Sequence, residues 1–395
     1  MKILLTHRYF WPDSPPYGWM LKAIAEALSA AGHDVHVLTS IPSYTDDAPE
    51  APTRERVGGI SVHRVAVRAE GSRAAWVRAS NAYSYCRAIR REIEDLRPDV
   101  VTASSFPPVI AAATASAAAR RVGAAFVYHV QDVHPEASRI GGGLIGRSPV
   151  YDMLRARDIR TLKRSDVIVT LSDDMAQTIR SRDASIPDIT ILNNFTLDAP
   201  SGHAPVPPER GRRRAIFAGN LGRFQDLPAL LDGLSLALDR SPDWDVVLMG
   251  DGALRANLRA RFGDHPRIRF LDRRPYAEAE PIIAGADIGL VSLRSGIEAV
   301  AYPSKTETYL GLGLPVLVLA DPECALASDI EGRGFGRVAL SRDPEDIATA
   351  FAALTAPEAL ARAQAAVQAR PDAERARRCA LDAWVDLMAR IQASR

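Results

Sequence analysis

Gly219 and Gly222 close an apolar run in Ala218-Gly219-Asn220-Leu221-Gly222-Arg223-Phe224-Gln225. A strand ending there, with glycines freeing the backbone before a helix, would offer N–H groups and a positive dipole end to a phosphate. Arg223 would add a charged fork. The plainer alternative is a tight β–α turn with a solvated arginine. A second segment runs Tyr302-Pro303-Ser304-Lys305-Thr306-Glu307-Thr308-Tyr309 and closes at Gly313-Leu314-Pro315. Pro303 suits a helix start and Ser304 a cap. Lys305 then sits in the first turn, where it opposes the helix dipole and calls for an anionic partner. A diphosphate would supply one; otherwise this is a capped helix with a surface lysine and glutamate.

A third segment, His129-Val130-Gln131-Asp132-Val133-His134-Pro135-Glu136, follows the apolar run Ala125-Phe126-Val127-Tyr128. Polar residues at the carboxyl end of a strand face a ligand in open α/β sheets. The histidines and carboxylates invite a metal reading, but they match no compact ligand spacing. The fourth segment, Tyr9-Phe10-Trp11-Pro12-Asp13 to Pro15-Pro16-Tyr17-Gly18-Trp19, is an aromatic loop suited to stacking on sugars or lipids, or to packing on its own domain.

These segments need strands to carry them. Short apolar runs alternate with helical patterns, which predicts a parallel α/β architecture. Strands are expected at 3–5, 35–39, 60–67, 100–101, 125–128, 167–170 and 189–192, with helices over 19–30 and 83–96 and an alanine-rich helix between 101 and 125. The stretch from Asp198 to Arg214 holds four prolines and two glycines, the chemistry of a linker. The same grammar then restarts, with strands at 215–218, 246–249, 268–270, 288–291 and 315–318 and a helix from about Leu227. The expected organisation is two doubly wound Rossmann-like domains facing across a cleft. They span 1–197 and 214–377, joined by a linker at 198–213, and a final helix at 378–395 is placed to return to the first domain. Asp173 and Asp174 read as charges of a helix N-terminus rather than metal ligands.

The chain has 395 residues, enough for two domains. Its net charge of +1 argues against a dedicated nucleic-acid binder. Cys86, Cys324 and Cys379 are scattered and odd in number, so neither a disulfide framework nor a metal knuckle is expected. No secretory h-region is read at the start and no apolar stretch is long enough to span a bilayer, which sets the expectation of a cytoplasmic protein.

The ordered series resembles the retaining, family 4-like glycosyltransferases of GT-B fold, in the branch that builds bacterial exopolysaccharide, O-antigen and colanic acid. It is carried by Met1-Lys2-Ile3-Leu4, Tyr9-Phe10-Trp11-Pro12, Ala31-Gly32-His33, Gln131-Asp132-Val133-His134-Pro135-Glu136 and the Gly219 turn. Gly250-Asp251-Gly252, Phe270-Leu271-Asp272-Arg273-Arg274-Pro275, Pro303-Ser304-Lys305 and Gly313-Leu314-Pro315 complete it. The resemblance implies a C-terminal donor domain for a nucleotide-sugar substrate, with UDP the commonest base in the family, and no cofactor or metal. It implies donor binding by Gly219, Asn220, Gly222, Arg223, Gly250, Arg273, Ser304, Lys305, Glu307 and Thr308, the base lying near Arg273 and Arg274. It places the acceptor, a sugar or lipid-linked sugar, against Tyr17, Gly18, Gln131 and Asp132, and it makes Asp132, Arg223 and Lys305 the catalytic candidates.

Three departures stand out. Relatives carry two glutamates eight residues apart where this chain has Val300 and Thr308, and Glu307 is one residue off. An arginine and a lysine of the donor turn are replaced by Asn220 and Gln225, and a histidine before the acceptor-domain acid by Gln131. Departure of a diphosphate from an oxocarbenium-like sugar is then expected to rest on Arg223, Lys305 and the Gly219–Gly222 turn, and Asp132 to orient the acceptor hydroxyl or take its proton. The segment from Arg54 to Arg97 holds arginines 54, 56, 64, 68, 73, 78, 87, 90, 91 and 97 with Trp76, Tyr83 and Tyr85, which points to an anionic membrane surface, or else to a solvated helix face. Two other functions fit the same motifs: a sugar-nucleotide epimerase or hydrolase, and a binding subunit without turnover.

Overall fold

The computed structural model describes residues 1–13, 15–43, 50–67, 75–142, 149–196, 204–208, 211–371 and 373–394. The chain divides into two compact units: Met1–Arg139, Gly143–Leu197 and Arg377–Arg395 form the first, and Ile140–Gly142 with Asp198–Ala376 the second.

In unit 1 the order is β1 (Lys2–Thr6), α1 (Pro16–Ala30), β2 (Asp34–Ser40), β3 (Arg54–Val57), β4 (Ile60–Val65), α2 (Ala75–Leu96), β5 (Val100–Ser104), α3 (Ile110–Val122), β6 (Ala125–His129), α4 (Glu136–Ile140), α5 (Val150–Leu162), β7 (Val167–Thr170), α6 (Asp173–Arg180) and β8 (Ile189–Ile191). The sheet runs β3-β4-β2-β1-β5-β6-β7-β8, parallel except for β3. Its central strands read as unbroken apolar runs because both faces are covered. Ile3, Leu5, Val35, Val37 and Val100 point to one face, where they share a core with Leu21, Ile24 and Leu28 of α1. On α2 the buried residues Val77, Asn81, Tyr85, Ile89 and Ile93 recur every fourth position, the stripe of a helix with one apolar face. Ser172 caps α6 by accepting the Met175 N–H, and Asp173 and Asp174 fill its first turn.

Unit 2 contains β9 (Arg213–Ala218), α7 (Leu227–Arg240), β10 (Trp244–Met249), α8 (Arg255–Phe262), β11 (Ile268–Leu271), α9 (Tyr276–Ala284), β12 (Ile288–Ser292), α10 (Lys305–Gly311), β13 (Val316–Leu319), α11 (Ala325–Gly332), β14 (Gly336–Val338), α12 (Pro344–Thr355) and α13 (Pro357–Gln368). A last helix, α14 (Ala373–Ala393), begins at its border. All six strands are parallel, in the order β11-β10-β9-β12-β13-β14. This is the doubly wound order, with its switch between β9 and β12. Beyond Arg377, α14 packs on unit 1, where Trp384, Leu387, Met388 and Ile391 join the core of β1 and α1.

The structure adds elements that periodicity did not reveal. The first of them, β3, pairs antiparallel to β4 through Gly58 and Gly59, both at positive φ. The helix expected from Tyr83 begins two turns earlier, at Ala75, because Val77 and Asn81 extend its buried stripe. In the presumed linker, Arg213 and Arg214 already belong to β9. Arg214 is buried, and its guanidinium donates to the carbonyls of Val206, Pro207 and Ile282.

Candidate functional site

In unit 2 the carboxyl ends of β9 and β10 approach so closely that only glycine fits. A Cβ on Gly250 would overlap the Gly219 carbonyl oxygen, and one on Gly252 would overlap Asn220 and the Leu221 carbonyl. Gly219, Gly250 and Gly252 all hold positive φ, which glycine alone tolerates without strain. The turns are tied by Gly219 N–H to Met249 O at 2.9 Å and Leu221 N–H to Asp251 O at 2.8 Å. Gln225 accepts the Gly222 N–H at 3.0 Å, so the side chain at this departure from the family braces the turn. Gly219, Asn220, Gly222 and Gly250 are therefore one cluster, with Arg223 exposed beside it.

Lys305 enters this cluster from α10. Its Nζ sits 3.7 Å from the centroid of the Phe217 ring, and a Cβ on Gly219 would lie 3.9 Å from it. Among the described residues no carboxylate pairs with this ammonium, and burial lowers its pKa to about 7. From the same helix, Tyr309 accepts the Ala218 N–H at 2.7 Å and fixes the end of β9. Ser304 precedes α10 at helical φ and ψ and its hydroxyl caps nothing, contrary to the capping role expected of it. Thr308 is half-buried, its hydroxyl 3.5 Å from the Ser304 carbonyl. Glu307 is held by Arg370 at 2.9 Å. Arg273 and Arg274 lie exposed in the loop after β11, and Arg274 faces Glu278 at 3.9 Å.

Several groups on this edge have no pattern in the sequence. Asp321, after β13, accepts from Ser295, from the Gly296 N–H and from Arg342, while Arg342 also reaches Asp226 at 3.3 Å. Glu298 is buried, accepts the Asp321 N–H at 2.7 Å, and burial raises its pKa. Together these fix the loop between β12 and α10 that delivers Lys305. The partners are far apart along the chain, so spacing gives no signal of them.

In unit 1 the corresponding edge gathers His7 after β1, Ser104 at the end of β5 with Ser105 after it, and the loop after β6. Tyr17 Oη lies 2.8 Å from His129 Nδ1. The Gln131 amide donates to His129 Nε2 at 2.7 Å, and its oxygen accepts from Asn194 at 3.4 Å. An amide nitrogen only donates, so the His129 proton resides on Nδ1, toward Tyr17. Burial holds the pKa of His129 at about 3, and burial with the neighbouring His129 and Arg8 does the same for His7. Trp384 of α14 covers the His129 ring at 4.8 Å between centroids. Asp132 is half-buried, its N–H donates to Ser105 at 3.0 Å, and burial raises its pKa to about 6. Gly18 lets α1 start against the aromatic loop, since a Cβ there would meet Phe10 Cα at 3.1 Å. Tyr17, His129, Gln131 and Asp132 thus share one edge, as the third segment led one to expect of His129, with His7, Asn194 and Trp384 as members that sequence reasoning did not place there.

The loop is anchored from behind. Arg182 pairs with Asp158 at 2.6 Å and with Glu136, and donates to the His134 carbonyl at 2.9 Å. Tyr128 donates to Asp158 at 2.8 Å. Glu136 therefore positions the loop rather than facing a ligand. Among the described residues no group of three or more His, Cys, Asp or Glu is arranged to hold a metal ion.

Residues 17–194 match the family described as Glycosyl transferase 4-like domain, and residues 212–356 the family described as Glycosyl transferases group 1. A glycosyltransferase named WbjE from Pseudomonas aeruginosa is 26% identical over 237 residues, 58% of this chain and 59% of its own length. The chain thus aligns with somewhat over half of that relative. WcaI of Escherichia coli K12, whose name places it in colanic acid biosynthesis as a glycosyl transferase, is 22% identical over 88% of this chain and 89% of its own. Among solved structures, Anabaena HepE in complex with UDP and glucose superposes with a TM-score of 0.61 at 14% identity, covering 97% of this chain and 99% of its own, a likeness of fold.

Proposed function

Because the chain belongs to the family 4-like glycosyltransferases of GT-B fold, we propose that it moves a sugar, with retention at the anomeric carbon, from a UDP-sugar to a sugar or lipid-linked sugar acceptor of bacterial surface polysaccharide synthesis. The observation that carries this reading is the Lys305 ammonium, set against the Gly219 turn at the β9/β12 switch with, among the described residues, no carboxylate to neutralise it. Such a site suits a diphosphate. As the anomeric C–O bond breaks, negative charge grows on the departing phosphate, and Lys305, Arg223 and the turn's N–H groups stabilise it. The acceptor oxygen forms the new bond on the same face of the sugar, and its proton passes to Asp132. Acceptor binding falls to Tyr17, Gly18, Gln131 and Asp132; donor binding to Gly219, Asn220, Gly222, Gly250, Arg273, Ser304 and Thr308. The UDP held by HepE supports UDP as the base. A cytoplasmic location, at the inner face of the membrane, suits such an acceptor.

Thermal-shift titration with UDP, GDP, dTDP and CDP tests the donor half. UDP is expected to raise Tm progressively, with the logarithm of its concentration once above Kd; no shift with any nucleotide would sink the proposal. The pairing of Glu307 with Arg370 leaves no carboxylate at positions 300, 307 or 308 to meet a ribose. That favours one second reading, a nucleotide-sugar-binding subunit, and tight UDP binding without transfer would select it.

Asp132 gives the reaction a pH signature. A base must be ionised, and its pKa is raised to about 6. Turnover is therefore expected to be full above pH 7 and to fall about tenfold per unit below 6. Asp132→Asn should cost about 10²-fold and flatten that acid limb. A wild-type profile flat from pH 5 to 8 would remove Asp132 from the role.

A further inference from the structure

The basic segment from Arg54 to Arg97 is not one charged face. Arg54 and Arg56 belong to β3, Arg64 is buried with Glu55 at 2.5 Å, and Arg68 and Arg73 lie outside the described residues. The carboxyl edge of the unit 1 sheet carries more, because its hydrogen bonds all run in one direction.

The Asn194 amide donates to the Gln131 oxygen at 3.4 Å, and the Gln131 nitrogen donates to His129 Nε2 at 2.7 Å. A ring nitrogen that accepts carries no proton, so Nδ1–H is the donor to Tyr17 Oη at 2.8 Å. A doubly protonated ring would set one N–H against another at Gln131, and burial, which holds the imidazole pKa at about 3, keeps the ring neutral. Trp384 covers the ring at 4.8 Å between centroids, so it cannot swing away. Tyr17 Oη is thus occupied as an acceptor, and its own O–H must point elsewhere. Among the described residues nothing accepts it: His7, the nearest other ring, meets Tyr17 edge-on at 4.5 Å between centroids without a hydrogen bond. Burial pushes the phenol pKa up, so the proton stays on.

Each donor in such a series polarises the next and makes the last hydrogen a better donor than a lone phenol supplies. Two neutral amides and a locked imidazole cannot carry a proton away from Tyr17, so this hydroxyl gives a hydrogen bond and takes no proton. Ionised Asp132, on the same edge, can only accept. A ligand suited to both presents an O–H to the carboxylate and an oxygen lone pair to the phenol. Neighbouring oxygens of a sugar do this, whereas an ammonium placed at Tyr17 would face a hydrogen.

We propose that Asn194, Gln131 and His129 form a one-way chain of positioning residues that fixes the Tyr17 hydroxyl as a donor to an oxygen lone pair of the acceptor sugar. This rests on the proposed reaction and deepens its acceptor half: Gln131 serves acceptor binding through Tyr17, which touches the substrate. The chain is tested first without substrate. Long-range proton–nitrogen NMR correlations of the full-length protein, with His129 assigned by its loss in His129→Phe, report the ring's tautomer. A proton on Nδ1 alone is expected from pH 5 to 8. In Gln131→Met, which keeps the bulk but donates nothing, the ring should exchange between tautomers. Octyl N-acetylglucosaminide is then titrated calorimetrically as the probe for sugar oxygens. Tyr17→Phe and Gln131→Met should each weaken it about three- to tenfold. The double variant should lose no more than Tyr17→Phe alone, because Gln131 acts through the phenol. A wild-type proton on Nε2, an unchanged single tautomer in Gln131→Met, or losses that add in the double variant would overturn the proposal. A probe that does not bind the wild type would instead strike at the sugar-acceptor reading and leave the tautomer result standing.

Discussion

Lys305→Ala is expected to lower kcat/KM for sugar transfer by about 10²–10³-fold, the usual cost of removing one group aimed at charge that develops in the transition state. The fold should tolerate the change, because among the described residues Lys305 has no ion-pair partner that would be stranded. The wild type should betray the same group through pH. With a pKa near 7 the amine is about half protonated at neutrality, and an incoming diphosphate favours the protonated form. UDP affinity should therefore weaken about tenfold per unit as pH rises above 7, until the pKa of the occupied site is reached. Lys305→Met should bind weakly with no such slope. Isothermal titration in two buffers of different ionisation enthalpy would read the proton taken up. Equal transfer rates in wild type and Lys305→Ala would remove Lys305 from the chemistry.

The second large effect concerns stability. Arg182→Met is expected to destabilise unit 1 by about 3–5 kcal/mol, because Asp158 is left as a buried carboxylate without its counter-charge, while the half-buried Glu136 keeps only Arg155. For a unit of this size that corresponds to a fall in Tm of about 10 °C. Asp158 already leans toward its neutral form through burial, and without the guanidinium it should protonate. The variant should consequently regain part of its stability as pH is lowered from 7 toward 5, where an exposed ion pair would show no recovery. Differential scanning calorimetry at both pH values measures this. A loss below about 1 kcal/mol would mean the cluster relaxes into water.

Much of the architecture was legible because it rests on local repetition. The runs Ile3-Leu4-Leu5 and Val246-Val247-Leu248-Met249 are strands since nothing but burial on both faces explains them. The Gly219 and Gly250 turns were also visible, although only the structure explains why they must be glycine together: one carbonyl occupies the space of the other's side chain. β14 and β3 were not seen. Each is short and at a sheet edge, with too few residues to show a period. The candidate sites divide in the same way. Lys305, Asp132 and Gln131 sit in contiguous motifs. His7, Asn194, Trp384 and the Arg342–Asp321 pair reach their places only through tertiary folding, and no spacing rule connects position 384 to position 129.

The return of α14 has a further implication. Trp384, Leu387, Met388 and Ile391 complete a core that begins at Ile3, so unit 2 is inserted, in chain order, into unit 1. As the chain leaves the ribosome, the β1–β8 sheet must wait with part of an apolar face uncovered while all of unit 2 is made. Unit 2, by contrast, has its six strands in hand before α14 appears. Unit 2 is thus the part able to fold vectorially, and unit 1 is the one exposed to chaperones and to misassembly during that wait.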